Sequence, residues 1–179
     1  WSPDGEKIAF VGTIGGESEF WLVGNFLPKT EPKSMTVQQV WSGPEADSFG
    51  SVSPDGRYIS FTDWETGDLA IRKLSTGQTR RLTSKGAWDA SDECAYSSVW
   101  SPDGRQVAYF WERDDGSGEL RVVGLKDVQP RIICRDDEIE WARVYDWSPD
   151  GREIVACLLG RNGEAKTTLV SVADGSVRV

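Results

Sequence analysis

The stretch "WSPDG" (Trp1–Gly5) returns as "VSPDG" (Val52–Gly56) and twice more as "WSPDG" (Trp100–Gly104, Trp147–Gly151). A pentapeptide rewritten at a spacing near 50 residues marks a repeat architecture, because propeller blades and solenoid units recur at roughly 20–50 residues. Its chemistry is that of a type I β-turn. Ser2, Ser53, Ser101 and Ser148 open the turn. Pro3, Pro54, Pro102 and Pro149 pre-set the backbone φ. Asp4, Asp55, Asp103 and Asp150 accept bonds from nearby amides, and Gly5, Gly56, Gly104 and Gly151 tolerate the positive φ that leads into the next strand. All four copies read as structural, and none of their aspartates as catalytic.

The flanks repeat as well. Each SPDG is followed by an alternating apolar run, "EKIAFVG", "RYISFTD", "RQVAYFW" or "REIVACLL". A polar Gly-containing loop, a second apolar run, a turn and a third run come next, and a short fourth run precedes the following SPDG. Period-2 alternation rich in β-branched and aromatic residues indicates strands, and no segment keeps a helical period. The fold expected is all-β: a β-propeller of about four four-stranded antiparallel blades, one domain over 1–179 with repeats near 1–51, 52–99, 100–146 and 147–179. The Trp before each SPDG ends an innermost strand and is placed to wedge between blades, with Val52 as a smaller substitute.

Composition narrows the function. The net charge is −9, with 29 acidic and 20 basic residues, which argues against nucleic acid as a partner. No apolar run is long enough for a membrane-spanning helix. With no His in the sequence, imidazole acid–base catalysis, His-dependent triads and His-ligated metals are excluded from this chain. Cys94, Cys134 and Cys157 stand far apart in or beside apolar stretches and read as small hydrophobes; they leave the redox compartment open. "RDDGSGE" and "RDDEIE" are rich in oxygen ligands but match no Ca²⁺ loop spacing, and no phosphate-cradling glycine motif is present. No cofactor, metal or catalytic residue is expected.

The stretches "WSPDGRQVAYF" and "WSPDGREIVA", with the linked "TGQTRRLTSKG", resemble the WD-like propeller repeats of the TolB family. Similar blades occur in the propellers of tricorn-type and prolyl-oligopeptidase-type proteases. The resemblance covers essentially the whole chain. It implies a propeller of six to eight blades, of which this sequence would be about half. Two chains pairing into a ring, a closed four-blade ring and an open crescent are the alternatives it leaves. It also implies a non-catalytic protein or peptide interaction module, and a periplasmic or secreted location. The competing implication is an accessory, substrate-gating segment of a larger serine protease whose catalytic residues lie outside this chain.

In a propeller, the blade-to-blade connections and the loops between the two middle strands share one face. Most of the acids fall on those two loop types, so one rim is expected to be negative and to suit a basic protein or peptide. The candidate binding residues are Asp63, Trp64, Glu65, Trp88, Asp89, Asp92, Glu93, Asp114, Asp115, Asp136, Asp137, Glu138 and Trp141. The tryptophans supply aromatic anchors of the kind found at interface hot spots. Plain solvation of long loops is the competing reading of the acids.

Overall fold

A computed structural model describes residues 7–14, 17–24, 36–43, 45–47, 49–126 and 129–179. Among these every regular element is a β-strand, in four antiparallel sheets. Blade 1 contains β1 (Lys7–Ile14), β2 (Glu17–Gly24) and β3 (Thr36–Ser42). Blade 2 contains β4 (Tyr58–Asp63), β5 (Asp68–Lys73) and β6 (Thr79–Arg81). Blade 3 runs from β7 (Cys94–Trp100) through β8 (Gln106–Glu112) and β9 (Gly118–Gly124) to β10 (Arg131–Asp136). Blade 4 runs from β11 (Ile139–Trp147) through β12 (Glu153–Gly160) and β13 (Ala165–Ser171) to β14 (Val177–Arg178).

Blades 3 and 4 have the four strands the sequence pattern implies, ordered as a meander. Blade 2 has three, and its innermost strand shrinks to the bridge between Val52 and Ile59. The physical reason lies in "SFGSV". A Cβ on Gly50 would sit 1.8 Å from the Ser60 carbonyl oxygen, so the segment crosses β4 too closely for a regular, side-chain-bearing strand. The Ser60 amide still reaches the Ser51 carbonyl at 2.8 Å, and the Ser53 amide reaches that of Tyr58 at 2.8 Å.

Each described SPDG turn is built from the same bonds. The glycine amide donates to the serine carbonyl at 2.8 Å (Gly56 to Ser53), 2.9 Å (Gly104 to Ser101) and 2.8 Å (Gly151 to Ser148). The serine hydroxyl donates to the aspartate of its own turn at 2.7, 2.7 and 2.6 Å. The same hydroxyl accepts the amide of the residue that starts the following strand, Tyr58, Gln106 or Glu153, at 2.9 Å each time. The glycines adopt φ of 68°, 66° and 71°, the left-handed region that disfavours any Cβ. The first copy, Trp1–Gly5, lies outside the described residues.

The core sits between blades rather than within them. Alternation sends Val107, Tyr109 and Trp111 of β8 toward blade 2, and Ala108 and Phe110 toward blade 4. The tryptophans before SPDG do wedge between blades, and each adds a hydrogen bond. The Trp100 indole donates to the Ser51 carbonyl at 3.0 Å, and the Trp147 indole to the Val99 carbonyl at 3.2 Å. Both rings are 5% exposed, so each indole N–H keeps a partner when it leaves water. Ser97, at φ 45° on a bulge of β7, locks blade 3 to blade 4: its hydroxyl donates to the Val144 carbonyl at 3.1 Å and accepts the Val144 amide at 2.9 Å.

Candidate functional site

The two loop types expected on one rim do meet there. The Trp88 indole, on the connection after blade 2, donates to the carbonyl of Trp64, on that blade's middle loop, at 2.9 Å. The Asp92 amide reaches the Asp114 carboxylate at 2.7 Å. The Arg161 guanidinium bridges the Asp137 carbonyl at 2.9 Å and the Asp115 carbonyl at 3.2 Å, joining the rims of blades 3 and 4.

The rim is less bare in charge than the count of acids suggests. Arg81 pairs with Asp63 at 2.7 Å and with Glu65 at 3.1 Å. Arg113 lies 4.0 Å from Glu93 and 3.6 Å from Asp115, and Glu93 also accepts the Trp111 indole at 2.8 Å. Arg135 reaches Asp137 at 3.7 Å. The Ser117 hydroxyl and amide hold the Asp115 carboxyl below its ordinary range. Asp89, Asp92, Asp136 and Glu138 remain exposed, and among the described residues none of the four forms a salt bridge.

Three acids on or beside these loops are interior: Asp47, Asp68 and Glu119. Asp68, 2% exposed, accepts the hydroxyls of Thr66 at 2.8 Å and Thr83 at 2.7 Å and the Lys85 amide at 3.0 Å. Glu119, also 2% exposed, pairs with Arg121 at 2.6 Å and has Arg113 and Arg135 beside it at 3.6 and 3.7 Å. Asp68 opens β5 and Glu119 is the second residue of β9, and the strand carries each side chain inward.

The tryptophans differ in availability. Trp88 is half-buried, with the Lys85 ammonium 4.0 Å from its ring centroid. Trp141 is half-buried against the core of blades 3 and 4. Trp64 is exposed and meets Tyr96 edge-to-face at 5.4 Å. Tyr96 in turn meets Phe49 at 6.1 Å. These aromatics gather where the innermost strands of blades 2 and 3 begin, at the axial mouth on the rim side. Asp47, 4% exposed, supports them from below by accepting the amides of Phe49 at 3.2 Å and Thr62 at 3.0 Å.

Outward from the axis, adjacent blades part into grooves. The one between blades 3 and 4, about 330 Å³, has Cys134, Ile139 and Leu158 among its lining and Asp136, Glu138 and Glu164 at its edge. Leu158 stands ten residues after its SPDG serine, as Trp111 does in the corresponding groove between blades 2 and 3. The three cysteines are free thiols. Burial, reinforced by Glu112, pushes the Cys94 thiol up to about 11; burial and Asp136 raise Cys134. Neither environment is that of a reactive thiolate. No cluster of three or more metal-ligating side chains occurs among the described residues, and no described helix is long and apolar enough to cross a membrane.

Comparison with known proteins supplies the kind of propeller. A TolB homolog from Chlorobium chlorochromatii is 32% identical over 113 residues, which is 59% of this chain and 24% of that protein. The blades are TolB-like. The crystal structure of TolB from Acinetobacter baumannii superposes with a TM-score of 0.71 at 22% identity, covering 99% of this chain and 41% of that one. The crystal structure of puromycin hydrolase superposes at 0.67 with 14% identity, covering 99% of this chain and 27% of that one. No family model matches the chain. The chain therefore spans about a quarter of the TolB homolog and two fifths of the TolB structure.

Proposed function

We propose that this chain supplies blades of a larger TolB-like propeller whose rim binds a protein or peptide partner with basic character, without catalysis by the chain itself. The observation that carries the reading is the arrangement at the axial mouth. The exposed Trp64 meets Tyr96 there, the exposed carboxylates of Asp89 and Asp92 lie on the connection that follows its blade, and those of Asp136 and Glu138 lie further out along the groove between blades 3 and 4. Aromatic anchors set in a charged surround are the composition of protein-recognition surfaces. The SPDG turns on the opposite face have their serine and aspartate side chains engaged in their own bonds.

Two observations support the larger propeller. One is the share of TolB that the chain covers. The other is the face of blade 4 turned away from blade 3, where Val155, Cys157 and Leu169 are only half-buried while Ile154, Ala156 and Val170 on the near face are fully buried. Such a row is suited to cover by a further blade. The superposition on puromycin hydrolase favours a second reading, in which the blades belong to the accessory propeller of a peptidase.

The test of the rim is a triple neutralisation, Asp136→Asn, Asp137→Asn and Glu138→Gln, with binding of an oligolysine peptide measured by calorimetry at low ionic strength. The variant is expected to bind about fivefold or more weakly, with the difference shrinking as salt is raised. Equal affinity in variant and parent would remove the acidic rim from the function.

A further inference from the structure

Tyr96 and Arg143 stand at matching places in β7 and β11, each four residues before the Trp of its SPDG turn, and Phe49 lies three residues before Val52 on the segment that enters blade 2. The fold brings the three together. Phe49 lies 6.1 Å from Tyr96, and the Arg143 guanidinium lies 5.9 Å from the Phe49 ring. The guanidinium is also 5.9 Å from the ring of Tyr145. Tyr145 is the extra residue of a bulge in β11, where the pairing slips between Val144 and Asp146, and 49% of its surface is exposed. A bulge of this kind re-aims a side chain out of the sheet. Blade 4 is thereby linked to the start of blade 2 across the axis.

Arg143 is exposed, and among the described residues its guanidinium makes no salt bridge and no hydrogen bond. Its surroundings differ from those of the rim arginines. Arg81 and Arg161 donate hydrogen bonds to carboxylates or carbonyls, and Arg113 and Arg135 lie 3.6–4.0 Å from carboxylates. Contacts with aromatic rings use the guanidinium's charge and leave its five N–H donors unspent. Those donors form a planar fork that matches a carboxylate with two parallel bonds. The nearby acid Asp47 is committed to the Phe49 and Thr62 amides, and Asp146 accepts the Trp147 amide at 2.8 Å.

We propose that Arg143, framed by Phe49, Tyr96 and Tyr145, is a subsite for a carboxylate group of the bound peptide. This deepens the interaction reading above and rests on it: the basic residues of the peptide lie over the acidic rim, and one acidic side chain enters the axial mouth. Such a peptide carries both signs of charge, and its order of charges is read by the distance from rim to axis.

The experiment compares two acetylated, amidated peptides, Lys-Lys-Gly-Gly-Glu and Lys-Lys-Gly-Gly-Gln, on the full chain by calorimetry. The carboxylate peptide is expected to bind about tenfold more tightly, the size of one charge-assisted bidentate contact. In Arg143→Gln the preference disappears, and in Arg143→Lys part of it remains. Arg143 is exposed, so both variants are expected to fold, which unchanged thermal unfolding confirms. Binding of both peptides with equal affinity to the parent chain overturns the carboxylate subsite and leaves the rim reading standing. A preference that survives in Arg143→Gln also overturns it. Failure of both peptides to bind overturns the rim reading and the subsite together.

Discussion

On the SPDG face, three turns repeat one set of bonds, with closing distances of 2.8, 2.9 and 2.8 Å. On the opposite rim no two loops are held alike. The middle loop of blade 2 is clamped by Arg81, that of blade 3 by the Ser91 hydroxyl and the Asp92 amide, and that of blade 4 by Arg161. The first face holds consecutive strands in register, so any blade needs the same solution. The second carries the differences between blades, and the exposed aromatics and free carboxylates concentrate there. Function in a repeat protein is expected where the repeat is not obeyed.

The sharpest way to break the comparison is to damage the repeated scaffold and leave the rim untouched. Trp147→Ala removes a ring that is 5% exposed, together with its bond to the Val99 carbonyl. A loss of roughly 3–5 kcal/mol is expected from the cavity and the lost burial. Denaturant unfolding measures it, and a loss under about 1 kcal/mol would mean that the tryptophan does not hold blades 3 and 4 together.

A smaller effect isolates backbone conformation. At Gly151, φ is 71° and no atom lies within 4 Å of where a Cβ would stand. Gly151→Ala is therefore expected to cost about 1–2 kcal/mol from φ alone. The rim variant Asp136→Asn, at an exposed site, is expected to stay within about 0.5 kcal/mol in the same measurement.

The smallest effect concerns protons. The Ser101 hydroxyl, then the Arg105 amide and guanidinium, hold the Asp103 carboxyl below its usual range, with partial burial opposing them. Its contribution to stability is therefore present above the unfolded pKa, near 4, and is lost as pH falls through the depressed folded value. Ser101→Ala removes the main cause. The Asp103 titration followed by NMR is expected to move up toward an ordinary aspartate. The unfolding free energy at neutral pH should drop by about 1 kcal/mol, and the acid-side loss should become shallower. An unchanged titration would show that the serine does not set it.

Much of the fold was legible in the sequence because turn chemistry is local. Ser, Pro, Asp and Gly in that order satisfy one another within a few residues, so four copies announce four turns without tertiary information. The short apolar run in "RQVAYFW", bounded by turn residues, likewise announces a strand. The rim was legible only as a set of loops. That Asp63 and Glu65 share Arg81, or that Arg161 ties Asp115 to Asp137, depends on partners 16 to 46 residues away, which no local pattern names. Tyr96 and Arg143 each stand four residues before the Trp of their SPDG, a signal in the sequence that sets them at one level of successive innermost strands, whereas Phe49, three residues before Val52, meets them only through the fold.

The sequence by itself determined that this protein is a run of SPDG-type blades, since each turn and strand is specified by residues adjacent in the chain. Only the tertiary structure decided which charges are spent. Asp68 and Glu119 look from their loops like their exposed neighbours, yet both are interior, Asp68 held by hydroxyl and amide hydrogen bonds and Glu119 by arginines. Arg143 looks like one more surface arginine on a strand, yet it stands at the axis between aromatic rings with its N–H donors unused. The reason is physical: a turn closes through bonds a few residues apart, whereas pairing and burial of a charge depend on what the assembled blades bring opposite it.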